Sequence, residues 1–284
     1  MGAPPWLRFQ AYVVGLPKTG STSLATVFGA YRTGHEVSRR ELVAAGLHWQ
    51  AGRLSPDEFW AVTTPRLTKP SLEMDPATCH HLYAPLLAQR FPRAVFIHTV
   101  RDVGGWISSL LDMLLRGRYV REIFLMLSSE AETQYMEEML GGRLAAWFDP
   151  MAGDRAAVVP LMQYWSRHMR EMAAVLPDRR TRVVRTAEIG RSLPVLADLC
   201  GVSAGTLRGD LSHANRAADR LNRFALYGDD ELRDAYEMYC ADIMAELFPQ
   251  EHAAAFRDTA SRRDWETHCQ AVRASVYAKY DAWG

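Results

Sequence analysis

Tyr12-Val13-Val14-Gly15-Leu16-Pro17-Lys18-Thr19-Gly20-Ser21-Thr22-Ser23-Leu24 carries a short apolar strand straight into a turn rich in glycine and hydroxyls. Gly20 lets the backbone approach an anion closely, and Ser21, Thr22 and Ser23 supply hydroxyl donors. The helix expected to follow offers N–H groups with no intrahelical partner. A strand, a phosphate-type turn and a helix in that order open a parallel α/β sheet.

The position of the lysine narrows the reading. Gly15 and Gly20 have the spacing of the triphosphate loop GxxxxGK[ST], but Ser21 stands where that loop has its lysine. The cation sits two residues before the glycine, at Lys18. In the triphosphate loop the lysine reaches the β- and γ-phosphates, so its relocation points to another anionic group.

Pro17-Lys18-Thr19-Gly20-Ser21-Thr22-Ser23 followed by a helix resembles the 5′-phosphosulfate loop, PK[ST]G[ST][ST], of sulfotransferases that use 3′-phosphoadenosine 5′-phosphosulfate (PAPS). The resemblance implies a second element, an arginine and a serine eight residues apart that hold the 3′-phosphate. Residues 94–100, Ala-Val-Phe-Ile-His-Thr-Val, form a run of high β-propensity ending in Arg101-Asp102, and Arg101 plus eight is Ser109. Guanidinium and hydroxyl both suit phosphate oxygens. Val103 stands where the family usually has proline.

Weaker likenesses cover most of the chain. They are Phe91-Pro92-Arg93-Ala94 before the second strand, residues 181–189 with 193–202 as strand, acidic turn and helix, and His213-Ala214-Asn215-Arg216. The RKGxxGxWK segment of cytosolic steroid and phenol sulfotransferases has no counterpart. The chain therefore looks closer to the bacterial small-molecule and carbohydrate types.

The resemblance implies direct sulfuryl transfer from PAPS to a hydroxyl or amine of a small-molecule or carbohydrate acceptor, with no metal. Lys18 is expected to stabilise the leaving phosphate. Pro17, Lys18, Thr19, Gly20, Ser21, Thr22, Ser23, Arg101 and Ser109 are expected to bind the co-substrate. For the general base Glu36 comes first, in Gly34-His35-Glu36-Val37, read as a short strand on which Glu36 and His35 face opposite ways. His35, whose imidazole ordinarily titrates near neutrality, is the immediate competitor of Glu36, and Glu73 and Asp75, after a third expected strand at Arg66-Leu67-Thr68-Lys69, are the other candidates. Two rival readings stay open: a P-loop kinase-like phosphotransferase and a non-catalytic nucleotide-binding module.

Composition bounds the rest. The 284 residues are 48% hydrophobic, with 33 basic and 33 acidic residues. That suits one catalytic domain over 1–284 and offers no basic excess for nucleic acid or an anionic membrane. Cys79, Cys200, Cys240 and Cys269 form no CxxC pair, and adjacent His80 and His81 make a poor metal pair. With no apolar stretch of spanning length, a cytoplasmic enzyme is expected. The expected fold is α/β and P-loop-like: three layers, a mostly parallel sheet between helices, and a helical insertion over about 104–176.

Overall fold

The computed structural model describes residues 7–68, 71–119, 129–142, 150–212, 221–257 and 265–281. The first strand, β1 (Ala11–Val13), is followed by α1 (Ser21–Val27), α2 (Arg39–Gln50) and α3 (Pro56–Thr68). Next come β2 (Met74–Asp75), a 3-10 helix (Thr78–Tyr83), α4 (Ala84–Arg90) and β3 (Val95–Val100). Helices α5 (Val103–Tyr119), α6 (Glu130–Leu140) and α7 (Pro150–Val175) precede β4 (Thr181–Arg185) and α8 (Leu193–Cys200). The chain then runs through α9 (Arg223–Tyr227), α10 (Asp230–Tyr239), α11 (Ala241–Leu247), α12 (Pro249–Ala254) and α13 (Trp265–Asp281).

These elements gather into two compact units, residues 1–101 with 168–216 and residues 102–167 with 217–284. The first holds the sheet. Its four strands are all parallel, in the order β2-β1-β3-β4. Alternation sends Ala11, Val13, Ile97 and Val184 to one face, where they pack with Leu24, Val27 and Phe28 of the α1 segment and Leu193, Leu196 and Ala197 of α8. The other face carries Tyr12, whose ring stacks on Phe96 and meets His80 edge-on. Helices thus cover both faces, giving the α/β three-layer arrangement that the strand pattern predicts.

In the second unit, Asp102 begins α5 by accepting the Gly105 N–H at 2.6 Å. α13 packs on α5 through buried polar groups as well as apolar ones. Asp112 accepts from Arg223 Nη2 and from His268 Nε2, each at 2.9 Å, and all three side chains are buried. Arg223 Nη1 also donates to the Ser108 carbonyl at 3.3 Å, and the Ser108 hydroxyl donates to Leu221 O at 2.8 Å.

Two expected strands are corrected. Residues 34–37 form none: Thr33 makes a single parallel bridge to Met74, and the chain then turns through left-handed Glu36 and Ser38. Arg66–Thr68 is the last turn of α3, which starts at a capping box in which Ser55 Oγ accepts Glu58 N–H and Glu58 Oε2 accepts Ser55 N–H. Three alternating residues do not outweigh a capped helix. The edge strand lies later, at Met74–Asp75, while Lys69 and the stretch 213–216 fall outside the described residues. Among the described residues no helix is long and apolar enough to cross a membrane.

Candidate active site

The connection from β1 leads to β2 on one side of the sheet, and that from β3 leads to β4 on the other, so the switch point lies between β1 and β3. In open α/β sheets ligands bind beyond the carboxyl ends of the strands at such a point. The glycine-rich loop leaves β1 there, and Arg101 leaves β3 there.

Loop and arginine meet. Arg101 is buried, and its Nη1 donates to the carbonyl of Lys18, 83 positions away, at 3.3 Å. The loop is pinned from several sides. Thr19 Oγ1 donates to Leu16 O at 2.6 Å and lies 2.8 Å from Thr99 Oγ1 on β3. Thr186 Oγ1, just past β4, reaches Thr19 O at 2.7 Å and Val100 O at 3.0 Å. A Cβ on Gly15 would collide with Thr99 and Thr19, so this glycine lets the loop cross against β3. Gly20 takes φ 110° as the residue that starts α1, and a Cβ there would lie 2.5 Å from Ile189 Cδ1.

Lys18, half-buried, adopts φ 70° without being glycine. Backbone strain of this kind costs about 1–3 kcal/mol and persists where surrounding contacts enforce it, as the stitched loop does here. Pro17, Ser21 and Ser23 are buried and Thr22 partly so. The hydroxyl of Thr19 faces inward to Leu16 and Thr99 and works as a loop fastener. Ser109 lies on α5 in the other unit, partly exposed, while its neighbour Ser108 is buried.

The candidate bases differ sharply. Glu36 Oε1 accepts from the Thr78 N–H at 3.1 Å and its hydroxyl at 2.8 Å, and Oε2 accepts from Arg39 Nη1 at 3.1 Å. Burial raises its pKa, but Arg39 and the Thr78 hydrogen bonds outweigh that and hold it below the ordinary value. Glu73 is buried in a clamp: Arg8 donates through N, Nε and Nη2 at 3.0, 2.8 and 2.7 Å, and Arg32 N–H adds a bond at 3.1 Å. These bonds, led by the Arg8 side chain, lower its pKa to about 2. Asp75 ends β2 with Oδ2 3.3 Å from His80 Nε2, and among the described residues its buried Oδ1 has no hydrogen-bond partner.

His35 stands apart. Its Nε2 is 3.1 Å from Ser21 Oγ, 3.2 Å from Thr22 Oγ1 and 3.9 Å from Glu36 Oε1. Its side chain is 36% exposed. Burial lowers its pKa with help from Arg39, against the opposing pull of Glu36 and Asp75. The left-handed turn at Glu36 lets both side chains approach the same region, which an extended strand would forbid.

Residues 11–202 match the family model described as a sulfotransferase domain. The chain belongs to the sulfotransferase family. Its loop, Arg101, His35 and the Glu36 network all fall inside the matched stretch. Among solved structures, a sulfotransferase from Alicyclobacillus acidocaldarius aligns with a TM-score of 0.43 at 14% identity, over 90% of this chain and 99% of that one. Sulfotransferase STF1 from Mycobacterium tuberculosis H37Rv aligns with a TM-score of 0.44 at 14% identity, over 82% and 76%. No curated protein matches by sequence.

Sequence reasoning missed the fasteners of this sulfotransferase loop. Thr99 is the penultimate residue of β3 and Thr186 directly follows β4, and a hydroxyl at a strand's carboxyl end beside a phosphate loop is the signal that marks them. The contact of His35 with Ser21 and Thr22 had no such signal, because it depends on a turn whose left-handed residues are not glycine. Among the described residues no group of three or more His, Cys, Asp or Glu is arranged to hold a metal ion.

Proposed function

We propose that this sulfotransferase takes the sulfuryl group from PAPS and delivers it to a hydroxyl or amine of a small acceptor. The observation that carries the reading is the hydrogen bond from Arg101 to the Lys18 carbonyl, which joins the two sequence elements at the sheet's switch point. The groups present fit a phosphosulfate: an ammonium, a guanidinium and the hydroxyls of Ser21, Thr22 and Ser23, with no carboxylate between Val14 and Leu24.

In the transfer, an acceptor oxygen bonds to sulfur while the bond from sulfur to the bridging oxygen breaks, leaving negative charge on the 5′-phosphate. Lys18 answers that charge as it grows, which lowers the barrier by more than ground-state binding would. Arg101 takes the 3′-phosphate, the role that the family resemblance gives it. The fasteners on Thr19 keep the loop in place, so little reorganisation is needed during the reaction.

Calorimetric titration tests the reading. Adenosine 3′,5′-bisphosphate should bind in the absence of metal and more tightly than ATP with Mg²⁺. Tight binding of ATP with Mg²⁺ and none of the bisphosphate would turn the assignment to a phosphotransferase.

A further inference from the structure

We propose that His35 accepts the proton of the acceptor hydroxyl, and that Ser21 and Thr22 hold its Nε2 in reserve until the donor binds. The proposal rests on the phosphosulfate reading of the loop.

Hydrogen-bond stoichiometry carries the argument. A neutral imidazole Nε2 has one lone pair or one proton, so it cannot fully serve hydroxyls at both 3.1 and 3.2 Å. An anionic phosphate beside the loop competes for the same hydroxyl protons with a stronger, charge-assisted bond. When the hydroxyls turn to the phosphate, the Nε2 lone pair is released beside the group being transferred. Donor binding thereby arms the base.

The surroundings suit that role. Glu36, 3.9 Å from Nε2, is fixed by Thr78 and Arg39 and supplies the negative charge that favours the imidazolium once formed. Of the charged groups acting on His35, Glu36 from its own turn and Asp75 from β2 favour its charged form, while Arg39 from α2 and burial disfavour it. Ser21 and Thr22 face it from α1. The balance leaves the ring in its basic, neutral form before the donor arrives. Both Glu36 oxygens already accept hydrogen bonds, so the carboxylate orients and stabilises while the imidazole takes the proton.

The step balances. The acceptor O–H bond breaks and its proton goes to Nε2. The acceptor oxygen bonds to sulfur, and the electron pair of the broken S–O bond stays on the 5′-phosphate of the departing bisphosphate. His35 returns its proton to water through its exposed edge.

The experiment uses the whole chain, with His35→Asn and Glu36→Gln as variants and adenosine 3′,5′-bisphosphate as probe. The His35 ring signal, identified by its loss in His35→Asn, should show a pKa rise of about one unit or more when the bisphosphate saturates the protein. By linkage, affinity for the bisphosphate should tighten from pH 8 to pH 6 by up to about tenfold more in wild type than in His35→Asn, which cancels the titration of the ligand itself. Turnover of PAPS should fall about 100-fold or more in His35→Asn, with affinity at pH 8 held within a few-fold. A ring signal indifferent to saturating bisphosphate overturns the proposal, as does a loss in Glu36→Gln equal to that in His35→Asn. Absence of bisphosphate binding by wild type would instead overturn the donor reading on which the proposal stands.

Discussion

Lys18 and Arg101 share a hydrogen bond, and the proposed function assigns them to different ends of the donor, which separates their variants. Arg101→Ala should weaken adenosine 3′,5′-bisphosphate about 10- to 100-fold, the worth of charge-assisted hydrogen bonds, and adenosine 5′-phosphosulfate only a few-fold. Equal losses for the two ligands, read by calorimetry, would show that Arg101 acts only by fastening the Lys18 carbonyl. Lys18→Ala should lower kcat by about 100-fold while changing affinity for the bisphosphate less. A raised KM at constant kcat would make Lys18 a uniform binder. The left-handed backbone of Lys18 adds a further expectation within this pair. Lys18→Gly should be more stable to urea than Lys18→Ala, since glycine adopts φ 70° without strain.

Among the elements, β1, β3, β4, α1 and α8 were legible to within a few residues, whereas β2, α2 and α3 were not. Apolar runs ending in glycine, arginine or threonine state both their period and their ends. Legibility failed at 34–37, where Gly34-His35-Glu36-Val37 has a strand's composition but the bridge of Thr33 to Met74 ends the pairing and the chain turns. It failed too at Glu73, whose buried position between Arg8 and Arg32 depends on residues 65 and 41 positions away. A carboxylate's partners at that range leave no local trace, so a tether and a general base read alike in sequence.

The same limit hid the buried ion cluster on α5. Asp112→Asn should destabilise the second unit by about 3–5 kcal/mol, because Arg223 would stay buried beside a neutral partner. The double variant Asp112→Leu with Arg223→Met should recover much of that loss. Urea denaturation and proteolytic cleavage near α13, whose His268 also bonds Asp112, provide the readouts. Unchanged resistance in Asp112→Asn would mean that apolar packing alone docks α13.

Over the molecule as a whole, buried histidines set the acid limit. His98 Nε2 and His168 Nε2 lie 3.2 Å apart, and the His81 ring packs edge-on to His168 at 5.0 Å between centroids. Burial lowers His81 to about 4 with help from Arg39 and His80, His98 to about 3 with repulsion from His81, and His168 well below the ordinary value with repulsion from His81 and His98. The unfolded chain protonates these rings near pH 6.5 while the folded chain refuses the protons. Stability should therefore be fully present above that pH and fall as pH drops toward 4, by up to about 1.4 kcal/mol per pH unit for each ring. Glu73 extends the loss, since its contribution is present above about pH 4.5 and disappears as pH falls through about 2. Urea midpoints from pH 8 to pH 5 test this, and His98→Leu with His168→Leu should flatten the slope whatever it does to stability at neutral pH. The Glu73 clamp also determines how far the chain can be trimmed. A fragment beginning at Arg8 retains every donor described for that buried carboxylate, whereas one beginning at Phe9 leaves it the Arg32 amide alone. Trimming past Arg8, a residue outside every strand and helix, should therefore cost stability out of proportion to its length.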